Sequence, residues 1–337
     1  MHKTVALGFI GIGGAGSHHV TAAAQTAGAR VAALCDLDAQ KLARIAGSHR
    51  SAATFTDPAK LLAMEELDGV VVALPNALHA PMVTDALRAG KNVLCEKPPA
   101  LNGDLAAKME REAARAKKLL VYGFQRRFYP SSRHASRMLS RGEAGEVYFV
   151  KTGWLRRDVE LPAWFLKKKL SGGGPLIDLG VHMLDVTLWL MGYPKAVAVL
   201  STVERKFGTY DVEDFAAAMI RLGNGATLFL EASRKVHGNI PRGGDQAYWN
   251  VLGSRAGLSW PPLAVHRDRR GKPVDLAPAL AADDWIAGIG AQMKEFVRRI
   301  RGGDTDLTQA RQGTQLMRIV DAIYESARRK TAVKPAG

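Results

Sequence analysis

Phe9-Ile10-Gly11-Ile12-Gly13-Gly14-Ala15-Gly16 follows the apolar run Thr4–Ile10 and opens the helical pattern Ser17–Thr26. A Gly-x-Gly-x-x-Gly turn between a strand and a helix suits a dinucleotide. The first glycine permits the tight turn, the second lets backbone approach a pyrophosphate, and the third allows close helix packing. The helix N-terminus then favours the phosphate charge. On this reading Gly11, Ile12, Gly13, Gly14 and Ala15 touch the cofactor. Alone, such a turn need hold no ligand. Here, however, Asp36 ends the next strand-like run, 20 residues after Gly16, where a carboxylate takes both ribose hydroxyls. That charge repels a 2′-phosphate, and the next residue is Leu37 rather than arginine, so NAD is expected in preference to NADP.

Outward from this turn, residues 4–122 alternate short apolar runs with amphipathic stretches. Strands are predicted at Thr4–Ile10, Arg30–Cys35, Ala53–Phe55, Gly69–Leu74, Asn92–Cys95 and Leu119–Tyr122. Continuously apolar strands separated by helices imply a doubly wound parallel sheet covered on both faces. After about residue 124 the rhythm changes. A helix, a strand and the apolar helix Leu176–Met191 lead into successive strand-like runs, with the hairpin signal Asn224-Gly225 between two of them. The expected fold class is α/β: a Rossmann domain over residues 1–124, then an α+β substrate and oligomerisation domain over 125–337 with a large, mostly antiparallel open sheet.

In an open parallel sheet, ligands bind beyond the carboxyl ends of the strands. This rule places Leu74, Pro75 and Asn76, with His79, on the cofactor rim, and Glu96 and Lys97 beside them. Asn76 also suits a helix cap, and His79 equally suits packing. The run Ser171-Gly-Gly-Gly-Pro-Leu-Ile-Asp178-Leu-Gly-Val-His182-Met-Leu-Asp185 reads as a glycine-rich loop, open to close approach by a substrate, feeding a helix. It sets a carboxylate and an imidazole four residues apart, on one helical face. An acid that orients and charge-stabilises a histidine serves proton transfer, and Lys97 is a third candidate member. A metal pair is the rival reading at that spacing, without an evident third ligand; a capping aspartate with a packed histidine is another. Leu179, Met183, Val186 and Leu190 form the apolar stripe of this helix.

Composition excludes several classes. No apolar run reaches the ~18–20 residues of a membrane span. Two cysteines supply neither a disulfide framework nor a zinc knuckle and fit a reducing cytoplasm. The net charge is +15, with 14 Lys+Arg against 11 Asp+Glu in residues 1–125 and 33 against 21 in residues 126–337. No basic stripe is interleaved with aromatics, so nucleic acid is not an expected partner. Lys167–Lys169 and Arg267–Lys272 read as exposed turns.

In order and spacing, Gly11–Gly16, Asp36, Pro75-Asn76 with His79, Glu96-Lys97-Pro98, the run Gly123 to Phe128, and Gly172–Asp185 carry a family likeness. Over essentially its whole length the chain resembles the glucose–fructose oxidoreductase, inositol dehydrogenase and rhizopine-catabolism (Gfo/Idh/MocA) oxidoreductases. The resemblance implies NAD(P)-dependent oxidation of a ring hydroxyl of a sugar, glycoside or cyclitol, or the reverse. It assigns catalysis to Lys97, Asp178 and His182, and a homodimer or homotetramer to the C-terminal sheet. Gln125 stands where many members have asparagine and is expected at the cofactor. Arg126 and Trp164 are expected substrate contacts, Trp164 being preferred to Trp154 and Tyr248. Redox-assisted glycoside cleavage and non-enzymatic NAD sensing are the alternative functions.

Overall fold

The computed structural model describes residues 4–336; residues 1–3 and 337 of the two expected domains lie outside the described residues. The chain forms two compact units. One comprises the chain through Ala100, Asp104–Phe128 and Asp284–Thr314. The other comprises Leu101–Gly103, Tyr129–Asp283 and Gln315 onward.

The first unit is built on β1 (Val5–Ile10), β2 (Ala29–Cys35), β3 (Ala53–Phe55), β4 (Gly69–Val72), β5 (Asn92–Glu96) and β6 (Leu120–Gly123). These six are parallel in the order β6-β5-β4-β1-β2-β3, so the order reverses between β1 and β4. That reversal is where a doubly wound sheet opens a ligand crevice. Helices α1 (Gly14–Ala24), α2 (Ala39–Ala46), α3 (Pro58–Leu62), α4 (His79–Arg88) and α5 (Gly103–Ala116) connect the strands. β1 and β4 are buried throughout, which explains why they read as unbroken apolar runs.

The second unit holds α6 (Pro130–Ser140), β7 (Val147–Arg156), the short α7 (Lys168–Ser171), α8 (Val181–Leu190), β8 (Ala196–Glu204), β9 (Phe215–Leu222) and β10 (Thr227–Ser233). It continues with β11 (Asp245–Gly253), β12 (Gly257–Trp260), β13 (Ala264–Arg269) and β14 (Lys272–Leu276). Its eight strands run β14-β13-β12-β11-β7-β10-β9-β8, antiparallel except for β7 with β10. The expected parallel and mostly antiparallel sheets are therefore both present.

Three features depart from the sequence reading. The split at 124/125 follows chain order, whereas α9 (Trp285–Ile300) returns to the first unit: its Ile289, Met293, Phe296 and Val297 share one buried cluster with Phe9, Val20, Leu34 and Phe128. β15 (Thr308–Gln309) then adds an antiparallel edge to β6 before α10 (Ala310–Arg329). Two residues carry no readable period. Finally, Arg267–Lys272 is no simple exposed turn but the tip of the β13–β14 hairpin, turning at Arg270 and Gly271 with φ of 55° and 73°. In β13 only Val265 is buried while His266 to Arg269 are exposed, so the apolar alternation that signals a strand is missing.

Candidate active site

In the first unit the glycine turn has the division of labour its sequence implies. Gly11 has φ +82°, and a Cβ there would lie 2.2 Å from the Ala73 carbonyl oxygen. A Cβ on Gly16 would lie 2.1 Å from the Gly11 carbonyl oxygen, so only glycine lets α1 start so close to the turn. At Gly13 and Gly14 a Cβ would meet nothing within 4 Å, and no side chain caps α1. Uncapped N-terminal amides behind an open backbone face form a ready anion site. The residues present therefore fit a pyrophosphate.

Asp36 does two jobs. Its Oδ2 accepts the Ile12 N–H at 3.0 Å, tying the glycine turn to the end of β2, while its Oδ1 accepts from Asp38 N at 3.0 Å and Lys41 Nζ at 3.2 Å. Burial opposes ionisation, yet these donors together outweigh it and hold the carboxyl below its ordinary range. With roughly four acceptor sites on a carboxylate, about one remains for a ribose hydroxyl while Lys41 stays in place, fewer than the two the sequence suggested. Leu37 next to it is highly exposed.

Beyond β4 and β5 the rim is tied together by histidines. His79 is fully buried, with Nδ1 2.8 Å from the Pro98 carbonyl oxygen and Nε2 2.9 Å from that of Leu74. Burial keeps its ring below the ordinary imidazole value, against the two carbonyls that favour its charge. Both nitrogens face main-chain carbonyls, and the neutral ring donates to one of them. His79, expected at the cofactor, thus sits enclosed against the Leu74-Pro75 and Lys97-Pro98 turns. Asn76 is buried in the 3-10 turn between them.

His19 of α1, which the sequence did not single out, sits 2.7 Å from Glu96 Oε1, and Glu96 Oε2 accepts the Lys97 N–H at 3.1 Å. Burial works against the Glu96 charge, but His19 and Lys97 prevail and hold the carboxyl low. Gln125, Arg126 and Arg127 are all buried in a 3-10 turn. Arg127 donates to the Asp306 carbonyl oxygen and to Gln312 Oε1, both at 3.1 Å, so it braces this unit.

In the second unit Leu176–Gly180 is a π-helical turn continuing into α8, with Val181 N–H reaching back to the Leu176 carbonyl. The sequence predicted one α-helix here; the wider turn adjusts the offset between Asp178 and His182, and such bulges recur at functional sites. Nearly every side chain of α8 is buried, His182 included. Leu179, Met183, Val186 and Leu190 are core, and Asp185 is fully buried, taking the Tyr193 hydroxyl at 3.3 Å.

What holds this turn is the buried Glu213. Its Oε2 accepts the Gly174 N–H at 2.8 Å, and its Oε1 accepts the Leu176 N–H at 3.1 Å and the Tyr324 hydroxyl at 3.0 Å. A Cβ on Gly173 would lie 2.0 Å from the Tyr324 hydroxyl, and one on Gly174 would lie 2.1 Å from the Glu213 carbonyl oxygen. The glycine run was expected to let a substrate approach. Gly173 and Gly174 instead make room for Glu213 and Tyr324, while Gly172, at φ +85°, ends α7. Burial first, and Glu213 second, push the Tyr324 phenol far up, so it remains a donor.

β7 supplies the groups beside Asp178 and His182. Thr152, Trp154 and Arg156 alternate onto one face of the strand. The Trp154 ring lies 5.6 Å from that of His182, and Arg156 Nη1 lies 3.3 Å from Asp178 Oδ2. The aromatic beside the imidazole is therefore Trp154. Trp164 stacks on Phe165 at 3.9 Å, and Tyr248 donates to Glu231. Period-2 alternation back from Arg156 was the signal available in the sequence.

The chain matches two family models, the oxidoreductase family's NAD-binding Rossmann fold over residues 5–124 and its C-terminal alpha/beta domain over residues 136–334. The D-glucoside 3-dehydrogenase of Escherichia coli (strain K12) is 32% identical over 320 residues, covering 90% of this chain and 89% of that protein. The rhizopine catabolism protein MocA of Rhizobium meliloti is 28% identical over 325 residues, covering 95% and 94%. Among solved structures, the aldose-aldose oxidoreductase from Caulobacter crescentus complexed with glycerol superposes with a TM-score of 0.84 at 25% identity, over 99% of this chain and 100% of that one. A levoglucosan dehydrogenase complex with NADH has the same fold, with a TM-score of 0.89 at 23% identity over 98% and 99%. The chain belongs to the Gfo/Idh/MocA oxidoreductase family, and its N-terminal domain is that family's NAD-binding Rossmann domain. Among the described residues no helix is long and apolar enough to cross a membrane.

Because the Gly16 Cβ position is filled by backbone, Gly16→Ala should displace the turn and raise the NADH dissociation constant at least tenfold in a fluorescence titration. Unchanged affinity would contradict the assigned role of the turn.

Proposed function

We propose that this chain is an NAD-dependent dehydrogenase that oxidises a ring hydroxyl of a sugar, glycoside or cyclitol to the ketone, or runs the reverse reduction. Lys97, Asp178 and His182 form its proton-transfer set. The observation that carries this reading is the placement of Asp178 and His182, four residues apart, on a turn and helix whose start is held by a buried carboxylate, in a chain whose other unit holds the fingerprint and Lys97 on one sheet rim. The name of the E. coli relative, a D-glucoside 3-dehydrogenase, agrees with sugar-type chemistry.

Bound NAD would supply the hydride acceptor for the carbinol carbon. Lys97 hydrogen-bonds the reacting hydroxyl oxygen and stabilises its developing negative charge. His182 takes the hydroxyl proton as general base. Asp178 anchors a neighbouring hydroxyl and stabilises the charge that His182 acquires, Trp154 walls the ring, and Arg126 and Trp164 are retained as substrate contacts. Gly11 to Ala15, Asp36, Leu37, Leu74 to Asn76, Glu96 and Gln125 frame the cofactor. The Asp36 carboxylate disfavours a 2′-phosphate, and Lys41 beside it tempers that repulsion.

For assembly, a second copy is the proposed partner of the open face of the eight-stranded sheet. Leu200 and Met219 are cross-strand neighbours there, both about half exposed; substantial apolar exposure of this kind marks interaction surfaces.

Three measurements test these proposals. Screening monosaccharides, cyclitols and glycosides with NAD and NADP should give an NADH absorbance rise with at least one ring alcohol, faster with NAD. His182→Ala should then cut turnover by about 10²–10⁴-fold at unchanged NADH affinity; full turnover in that variant, or glycoside cleavage with no net NADH, would overturn the mechanism. In light scattering the native chain should have the mass of a dimer or tetramer, and Leu200→Glu with Met219→Glu should reduce it. A monomeric native chain would rule out the sheet interface.

A further inference from the structure

Arg156 has no role in the proton-transfer set, yet its shorter ion pair is with a member of that set, Asp178. It is the last residue of β7, on the same strand face as Trp154. Its Nη1 lies 3.3 Å from Asp178 Oδ2, and its Nε lies 3.8 Å from Asp245 Oδ2. Asp245 is its directly opposed partner on β11. The guanidinium carbon sits 5.2 Å from the centre of the Trp154 ring, and the His182 ring lies 5.6 Å from the same ring.

We propose that Arg156 is a positioning residue: it clamps the Asp178 carboxylate in the orientation that serves the reacting hydroxyl. The proposal rests on the reading of Asp178 as a member of the proton-transfer set. Three constraints hold the clamp. The planar guanidinium presents Nη1 to Asp178 and Nε to Asp245 at once, a fixed geometry that a lysine ammonium lacks. Asp245 and the Trp154 ring fix the guanidinium itself. And the Arg156 and Asp178 side chains are only 18% and 11% exposed, so water replaces the pair poorly and loss of one partner leaves the other largely desolvated.

The test is a double-mutant cycle in the full-length protein, with methyl β-D-glucoside and myo-inositol as probes and NAD as oxidant. Arg156→Gln should lower kcat about tenfold to a hundredfold while NADH affinity is unchanged. In an Asp178→Asn background the same substitution should cost under about twofold, since groups that act as a unit are not additive. Arg156→Lys should recover part of kcat. Equal losses in both backgrounds overturn the clamp and leave the proton-transfer reading standing. Full turnover in Asp178→Asn alone overturns that reading instead. A crystal structure of Arg156→Gln decides independently of turnover: a rotated Asp178 carboxylate is expected, and one left in place contradicts the proposal.

Discussion

In the second unit one buried carboxylate holds the turn that carries Asp178. Glu213 receives the Gly174 and Leu176 amides and the Tyr324 hydroxyl. A helix start leaves its first N–H groups without intrahelical partners, and a carboxylate there is favoured both by hydrogen bonding and by the helix dipole. Because Glu213 is buried, its bonds are not diluted by water, and leaving those donors unsatisfied costs about 1–3 kcal/mol each. The turn they fix carries Asp178, and one helical turn further on, His182. Position of an acid and a base, rather than their mere presence, is what proton transfer requires.

The first unit uses the same principle with a different carboxylate. Asp36 grips the Ile12 amide and so fixes the glycine turn before any ligand arrives. Gly11 and Gly16 pack backbone against backbone while Gly13 and Gly14 keep an open face. His79 and the His19–Glu96 pair then brace the turns on either side of Lys97. In both units, buried polar groups that could have been read as ligands for substrate or cofactor turn out to satisfy backbone. A buried polar atom costs free energy unless it is paired, and the nearest partners in these turns are main-chain carbonyls and amides.

The parallel sheet was legible because its strands are buried on both faces and read as unbroken apolar runs, as at Gly69–Val72. The glycine turn was legible because its spacing is set by covalent geometry. The second sheet was visible through alternation and the Asn224-Gly225 turn. Other features were not readable. β13 and β14 lack an apolar face, and β15 is two residues long. The return of α9 to the first unit depends on which core its apolar stripe meets, and that is a tertiary fact. Gly173 and Gly174 looked like a ligand approach because sequence does not reveal that Glu213 and Tyr324, 39 or more residues away, fill the space. Arg156 was hidden for the same reason: its importance lies in a cross-strand partner and a helix that only the fold brings near.

Turnover of a Glu213→Gln variant, taken with its NADH affinity, tests the central claim most directly. The carboxamide keeps the size of the side chain but turns one acceptor into a donor facing the Gly174 or Leu176 amide. A kcat reduced by at least tenfold at unchanged NADH affinity is the expected result. A variant that turns over at the wild-type rate would show that the geometry of Asp178 and His182 does not depend on this carboxylate.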